Sequence, residues 1–513
     1  MMMDAPRRDK LFLLCAGLFI CAGLWLAAYG ALVPYSYWWD ELYSVVAASS
    51  SWDFMFSDFI LRDVHPPLYQ IALKLWIGLF SNAEIATRVL SLLFSYAAVF
   101  VLFSWGRKNL PKLAWFSMVL FFATNRMFIY YAQEARSYAM MLLGAAVLTV
   151  LFAKIAGNEE KGSRLLVQTS VAAFLLSLTH YFGLLYAGVI LGYLFLRYLG
   201  RRAVRKSIIT VLTVLACVLW PVCHYVCGHI GHSVQQGTWI QSQGWYTTLK
   251  NAAMAVFPHI YAGMYTLFAS TSQSAVAVLF IIVLLITVGL AIFRRPGSAG
   301  KTQGSEELSK TARALAIILA VYLVVIVSCD LLSPMSTARN FIILLPIVSV
   351  LIGMAVQRMR GAYRIIACLF VCLFALLSIV KFVCPFVSVR GRLPAENHKA
   401  ASRYIAGALA EKPYHLYYFA RQGTLANIQH KMALYYFSRL PAHRGIEAQA
   451  VTMETLQSMA RPFLLFVQHG GAYYDDITRT LAQAGIAYGI YLPQQRSERN
   501  VYIVRVEEAA PGG

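Results

Sequence analysis

Tyr37-Trp38-Trp39-Asp40-Glu41-Leu42-Tyr43 lies just beyond the apolar run Leu11–Val33, and the two together decide the class of this chain. Such a run matches the roughly 20 residues needed to cross the ~30 Å hydrocarbon layer of a bilayer. It is too long for the apolar core of a cleaved signal peptide, so the sequence predicts a retained first span with Arg7-Arg8 on the cytoplasmic side. Trp38 and Trp39 are residue types of the membrane–water interface. Two adjacent carboxylates therefore stand where the chain leaves the membrane.

The same apolar pattern recurs. The chain has 513 residues, 59% hydrophobic and 13% charged, too apolar for a soluble protein of this length. Further runs at Ala86–Trp105, Leu113–Tyr131, Tyr138–Ile155, Leu165–Leu178, Gly183–Tyr198, Ile208–Val226, Ser274–Phe293, Ala312–Cys329, Phe341–Val356 and Tyr363–Val383 predict about eleven spans. Pro67–Phe80 is shorter and opens on paired prolines, which suits a helix lying in the interface. With that helix flat, Arg107-Lys108, Arg201–Lys206, Arg294–Lys310 and Arg358–Arg364 all fall on the cytoplasmic side. The net charge of +21 is thus largely an orientation signal, not a nucleic-acid footprint. The nine cysteines lie mostly inside apolar runs and read as small buried hydrophobes. Cys223, His224, Cys227, His229 and His232 fit no strong zinc spacing.

After Val383 the composition turns polar. The predicted organisation is a polytopic α-helical membrane domain over residues 1–386, with an outer loop at 34–83, and a soluble α/β domain over 387–513. In the latter, His415–Phe419, Phe463–Val467, Ile486–Leu492 and Val501–Val506 read as strands and Asp475–Ala484 as a helix. Lys301–Lys310 reads as a Gly/Ser-rich linker. The expected setting is the cell membrane, with the outer loop and the C-terminal domain outside the cytoplasm.

Asp40 and Glu41 have two readings: acids favoured at a helix N-terminus, or a base that takes a proton from an attacking hydroxyl or amine. In Arg62-Asp63-Val64-His65-Pro66-Pro67, Asp63 and His65 are two apart and face the same way in extended chain. They either form an Asp-centred turn before proline or orient an acceptor or a divalent cation. Arg136 and Arg339 stand just outside spans, as interfacial anchors or as planar donor forks for a phosphate. Glu134 shares the Arg136 segment. His180 and Tyr181 end a span, either as part of an interfacial belt or in substrate binding. His469-Gly470-Gly471 follows a strand and reads either as a functional turn or, more simply, as a strand-end glycine turn.

An Asp-Glu pair after the first span, followed by Asp63-Val64-His65-Pro66-Pro67-Leu68, resembles the first outer loop of the dolichyl-phosphate-mannose protein mannosyltransferases and their bacterial relatives, the glycosyltransferase family 39 group. These are polytopic GT-C glycosyltransferases, a superfamily that includes the aminoarabinose transferase of lipid A. The likeness continues at Arg88-Val89-Leu90-Ser91, Gln133-Glu134-Ala135-Arg136-Ser137-Tyr138-Ala139 and Thr179-His180-Tyr181-Phe182, covering about residues 1–200. The resemblance implies that Asp40 is the general base with Glu41 its partner. Glu134 would be a second acidic group, Arg136 and Arg339 would hold the donor phosphate, and Asp63 and His65 would lie near the donor or a bound cation. Asn340 follows Arg339 where the family usually has an aromatic residue.

The function expected from these residues is transfer, with inversion, of a sugar from a polyprenyl-phosphate carrier to an extracytoplasmic lipid, glycan or protein acceptor. Membrane lipids are the other expected partners, nucleic acid is not one, and no cofactor is called for beyond the cation that Asp63 and His65 leave open. A transporter or flippase for lipid-linked sugars is the competing class. It would place ionisable residues deep in the spans and repeat its halves, whereas the ionisable residues here sit at span ends and no internal repeat is found.

Overall fold

The computed structural model describes residues 5–157, 163–227, 240, 244–258, 282, 286, 289, 303–387, 396–420, 426–440, 446–492 and 501–508. The chain divides into two compact units. The first comprises residues 1–32, 61–72 and 88–382, and the second residues 33–60, 73–87 and 383–513. Most of the outer loop therefore packs with the C-terminal region, across the boundary drawn at 386 and 387.

The first unit is helical. Among the described residues eight helices are long and apolar enough to cross a membrane, from Pro6–Leu32 to Gly361–Val380, and the chain is a multi-pass membrane protein. The expected span Ser274–Phe293 lies almost wholly outside the described residues. Two other expected spans are shorter. Leu113–Tyr131 is two helices, Lys112–Ala123 and Arg126–Tyr131, because Asn125 breaks the run and caps the second by accepting the Met127 N–H at 2.8 Å. Leu165–Leu178 is the 15-residue helix Ser163–Ser177. Pro67–Phe80 forms the helix Leu68–Leu79, whose 12 residues extend only about 18 Å. The linker expected at Lys301–Lys310 is instead helical from Gln303, where Glu306 and Lys310 pair one turn apart at 3.1 Å.

Burial ranks the spans. The apolar window of Ala338–Arg358 is 94% buried by protein and that of Pro6–Leu32 only 17%, so the first is the hub and the second a peripheral helix. Small residues allow the close contacts that packing without a hydrophobic driving force requires. A Cβ on Gly353 would come within 2.9 Å of the Ala114 carbonyl oxygen, and one on Gly23 within 2.4 Å of that of Ala123. Several hydroxyls in the membrane helices are satisfied locally: Ser117, Thr149, Thr210 and Ser349 donate to the carbonyl four residues back.

The second unit is built on a five-stranded sheet in the order β2-β1-β3-β5-β4. Its strands are β1 (His415–Phe419), β2 (Gln449–Val451), β3 (Phe463–Gln468), β4 (Gly489–Tyr491) and β5 (Val501–Val506). β1 runs parallel to β2 and β3, and β5 antiparallel to β3 and β4. The central β3 is buried along its whole length because both faces are covered. Phe463, Leu465 and Val467 pack with Ile477 and Leu481 of the helix Tyr474–Gln483, and Leu464 and Phe466 with Ala401 and Ile405 of the helix His398–Glu411.

The loop residues are bolted to this unit by polar contacts. The Tyr37 backbone N–H donates to the Tyr436 hydroxyl at 2.8 Å, and Tyr436 donates to Glu84 at 2.9 Å. Lys399 lies 3.0 Å from the same Glu84 carboxylate, which is buried and so requires such partners.

A second buried carboxylate, Glu396, accepts hydrogen bonds from His398 (3.1 Å) and His469. Burial alone would raise its pKa, but these bonds and the two imidazoles reverse that and bring it from the ordinary 4.5 down to about 2. An acid depressed in the folded state stabilises above its unfolded pKa and loses that contribution as pH falls through the folded one. Glu396→Gln is therefore expected to lower the local stability of β3 by about 3 kcal/mol at pH 7. Hydrogen exchange of the β3 amides in the full-length protein measures this, and the gap from wild type should close between pH 4.5 and 2. A gap that is absent at pH 7, or constant with pH, refutes the assignment.

Candidate active site

Asp40 and Glu41 lie in the first turn of the helix Trp39–Ser49. Trp38, with extended backbone, precedes the helix and makes no side-chain cap, so the two acids supply the negative charge that a helix N-terminus favours. Asp40 is half-buried and Glu41 fully buried. The helix-start reading is thus realised locally.

The membrane unit brings together the other candidates from four segments. Asp63 Oδ1 accepts the Val64 N–H at 2.7 Å and lies 3.2 Å from His65 Nδ1. The two readings of this segment therefore coexist: it is an Asp-centred turn, and it fixes an Asp–His pair. The His65 ring meets His180 edge-on, with centroids 5.1 Å apart. His180 in turn lies 5.9 Å from Tyr138, and the Arg339 guanidinium sits 5.8 Å from the Tyr138 ring centre. Glu134, Arg136 and His180 are all buried, and Arg339 is half-buried. Burial pushes the Asp63 carboxyl up, but His65 and Arg136 outweigh it and leave the group below its usual range. Asp63 is therefore a carboxylate at neutral pH.

His180 shows the reverse case. Burial, together with the charges of His65, Arg136 and Arg339, holds its pKa well below the usual value. Its Nδ1 accepts the Phe182 N–H at 3.2 Å, which caps the helix Tyr181–Gly200. The neutral ring must then carry its proton on Nε2, and that buried atom has no hydrogen-bond partner among the described residues. An orphan donor among two guanidinium groups is set up to meet an anion.

Two connections hold the segments in place. The Leu68 N–H donates to the Leu178 carbonyl at 3.0 Å, tying the His-Pro-Pro turn to the one that carries His180. His224 Nε2 donates to the Leu61 carbonyl at 3.0 Å, which leaves Nδ1 to accept from the Tyr181 hydroxyl at 2.9 Å. Tyr181 is thereby a strut beneath the Asp63 turn. His224, weighed in the sequence only within the Cys/His group, and Tyr138, noted only within the Gln133–Ala139 stretch, are the residues whose contacts at the site sequence spacing did not reveal. Of the Cys/His group noted above, His229 and His232 lie outside the described residues.

Asp63 and His65 would offer two ligands to a divalent cation, with the positive charge of Arg136 acting on the same carboxylate. Among the described residues no group of three or more His, Cys, Asp or Glu could hold a metal ion. The pair would supply at most two protein ligands, and no step is derived through a cation.

No family model matches the chain, and no curated protein matches it in sequence. The structure of ArnT from Cupriavidus metallidurans bound to undecaprenyl phosphate is similar at 15% identity and a TM-score of 0.48, over 96% of this chain and 98% of that one. The archaeal oligosaccharyltransferase AglB from Archaeoglobus fulgidus, in complex with an inhibitory peptide and a dolichol-phosphate, is similar at 11% identity and a TM-score of 0.45, over 95% and 74%. The S. cerevisiae protein O-mannosyltransferase Pmt1-Pmt2 complex bound to the sugar donor follows at 15% identity and a TM-score of 0.30, over 45% of this chain and 33% of that one.

Proposed function

We propose that this chain is an integral membrane glycosyltransferase that moves a sugar from a polyprenyl-phosphate carrier to an acceptor outside the cytoplasm. The observation that carries the reading is the gathering of a buried Arg136, a half-buried Arg339 and a neutral, donor-bearing His180 in the membrane unit. Cations buried in a membrane protein are costly and mark sites of anionic ligands. The leaving group of such a donor is a phosphate, whose charge grows as the sugar departs. Two guanidinium forks and one imidazole N–H suit that charge.

In this reading Asp40 takes the proton of the acceptor's hydroxyl or amine as its oxygen or nitrogen attacks the anomeric carbon. The bond to the phosphate oxygen breaks in the same displacement, the phosphate leaves with the electron pair, and the anomeric configuration inverts. Glu41 holds the negative field around Asp40, and the Asp63–His65 pair orients His180. The cationic clusters Arg107-Lys108 and Arg201–Lys206 support a cytoplasmic position for those loops, which would leave the reacting groups on the other side.

His180→Asn tests this cluster without disturbing the fold. Asn is a good N-cap and can still accept the Phe182 N–H, but it lacks the Nε2–H. Transfer from a labelled polyprenyl-phosphate sugar in membranes is expected to fall about tenfold or more, with the melting temperature nearly unchanged. Wild-type transfer by a folded His180→Asn protein would remove the anion-binding role.

A further inference from the structure

The second compact unit holds a cluster that the proposed chemistry does not use. Glu396 receives two imidazoles, and the two are treated differently. His398 is closed: its Nε2 bonds Glu396 at 3.1 Å, its Nδ1 faces Gln468 Nε2 at 3.1 Å, and its side chain is fully buried. His469 is open: its Nδ1 bonds the other Glu396 oxygen, while its side chain is 35% exposed. A carboxylate only accepts, so Nδ1 carries the proton and the lone pair of the neutral ring sits on Nε2. Among the described residues nothing is hydrogen-bonded to that atom.

The ring is also held at unusual backbone cost. His469 has φ +48°, a left-handed conformation that is uncommon for a non-glycine residue and costs it free energy. The next residue must be glycine, because a Cβ on Gly470 would lie 2.1 Å from Val467 Cγ1. One face of the imidazole stacks on Trp39, with centroids 5.7 Å apart and planes 23° from parallel. Trp39 immediately precedes Asp40, in the same compact unit. His398 is bonded to protein groups at both nitrogens, and among the described residues His469 is bonded at Nδ1 alone. This one is fixed in tautomer, tilt and backbone, and presents an unused acceptor beside an indole ring.

We infer that His469 Nε2, oriented by Glu396 and flanked by Trp39, binds a hydroxyl of the acceptor, and that this acceptor is a saccharide. A hydrogen-bond acceptor next to an aromatic face matches a sugar, which offers hydroxyl edges and an apolar C–H face. The inference deepens the transferase reading and rests on it: that reading assigns groups to the donor phosphate and to proton removal, and this one assigns the group that selects the acceptor.

The test variant is His469→Asn. Asn tolerates the left-handed backbone better than other non-glycine residues, and its amide N–H can still donate to Glu396, but no atom replaces Nε2. Full-length enzyme is supplied with a labelled polyprenyl-phosphate sugar and increasing amounts of membranes from a strain lacking the protein, which serve as the acceptor source. The half-saturating amount of membranes is expected to rise about tenfold, with donor half-saturation and maximal rate within about twofold of wild type. An unchanged half-saturation overturns the inference.

A second measurement does not depend on the variant's folding. In the wild-type protein, diethyl pyrocarbonate should modify His469 and spare His398, and the same membranes should slow modification of His469. Modification of His469 that is absent, or that those membranes do not slow, also overturns it. Periodate treatment of the membranes, which cleaves vicinal diols, should abolish their acceptor capacity, and protease treatment should not. The opposite pattern overturns the saccharide class. If wild-type enzyme transfers nothing, the transferase reading fails and takes this inference with it. If wild type transfers while His469→Asn behaves identically, only this inference fails.

Discussion

Asp40→Asn is expected to lower transfer from a polyprenyl-phosphate sugar by about 10²–10⁴-fold while leaving the protein folded. The two parts of that expectation separate the readings of this residue. A carboxylate in the first turn of the Trp39–Ser49 helix contributes about 0.3–1 kcal/mol through the helix dipole. If that were its whole role, the amide would cost a degree or two of melting temperature and nothing in rate. If Asp40 is the base, the amide cannot take the acceptor's proton, and the loss falls on the chemical step. Binding of the labelled donor should persist, because the groups assigned to its phosphate are Arg136, Arg339 and His180. A folded Asp40→Asn protein with wild-type turnover would remove the base assignment.

Arg136→Gln is expected to raise the half-saturating donor concentration about 100-fold, with acceptor half-saturation much less affected. The magnitude follows from losing one or two charge-assisted hydrogen bonds to a buried phosphate, about 3 kcal/mol in total. The same change has a second signature. Arg136 is one of the charges holding the Asp63 carboxyl low against burial. Without it the Asp63 pKa moves up, so the acid limb of the pH–activity profile should shift to higher pH. A merely anchoring arginine would affect expression or insertion and leave the acid limb in place. Unchanged donor saturation in a well-inserted Arg136→Gln protein would contradict the phosphate role.

What could be read in advance divides along physical lines. Strands β1, β3 and β5 were legible because aromatic and β-branched runs bounded by turn residues are a local signal. β2 was not, since Gln449–Val451 spans three residues and exists only through its pairing with β1. The run Leu113–Tyr131 read as one span because its apolar composition hid the cap at Asn125. Much the same holds for the site. Asp63 and His65 declare themselves by spacing and by the prolines that follow. The roles of Tyr138 and His224 depend on partners far away in sequence, at 180, 339, 61 and 181, and no periodicity carries such a contact. Glu396 and His469 are likewise separated by most of the sheet, so the open and closed histidines could be told apart only in the folded structure.

The most direct measurement uses a polyprenyl-phosphate sugar with one label on the sugar and another on the lipid. It is supplied to the outer face of right-side-out membrane vesicles that contain the protein. The account predicts that the labels separate, the sugar passing to acceptor and the lipid label remaining as polyprenyl phosphate, and that Asp40→Asn prevents the separation. Both labels crossing the bilayer together and intact, or separation only when the donor is offered from the cytoplasmic side, would contradict it.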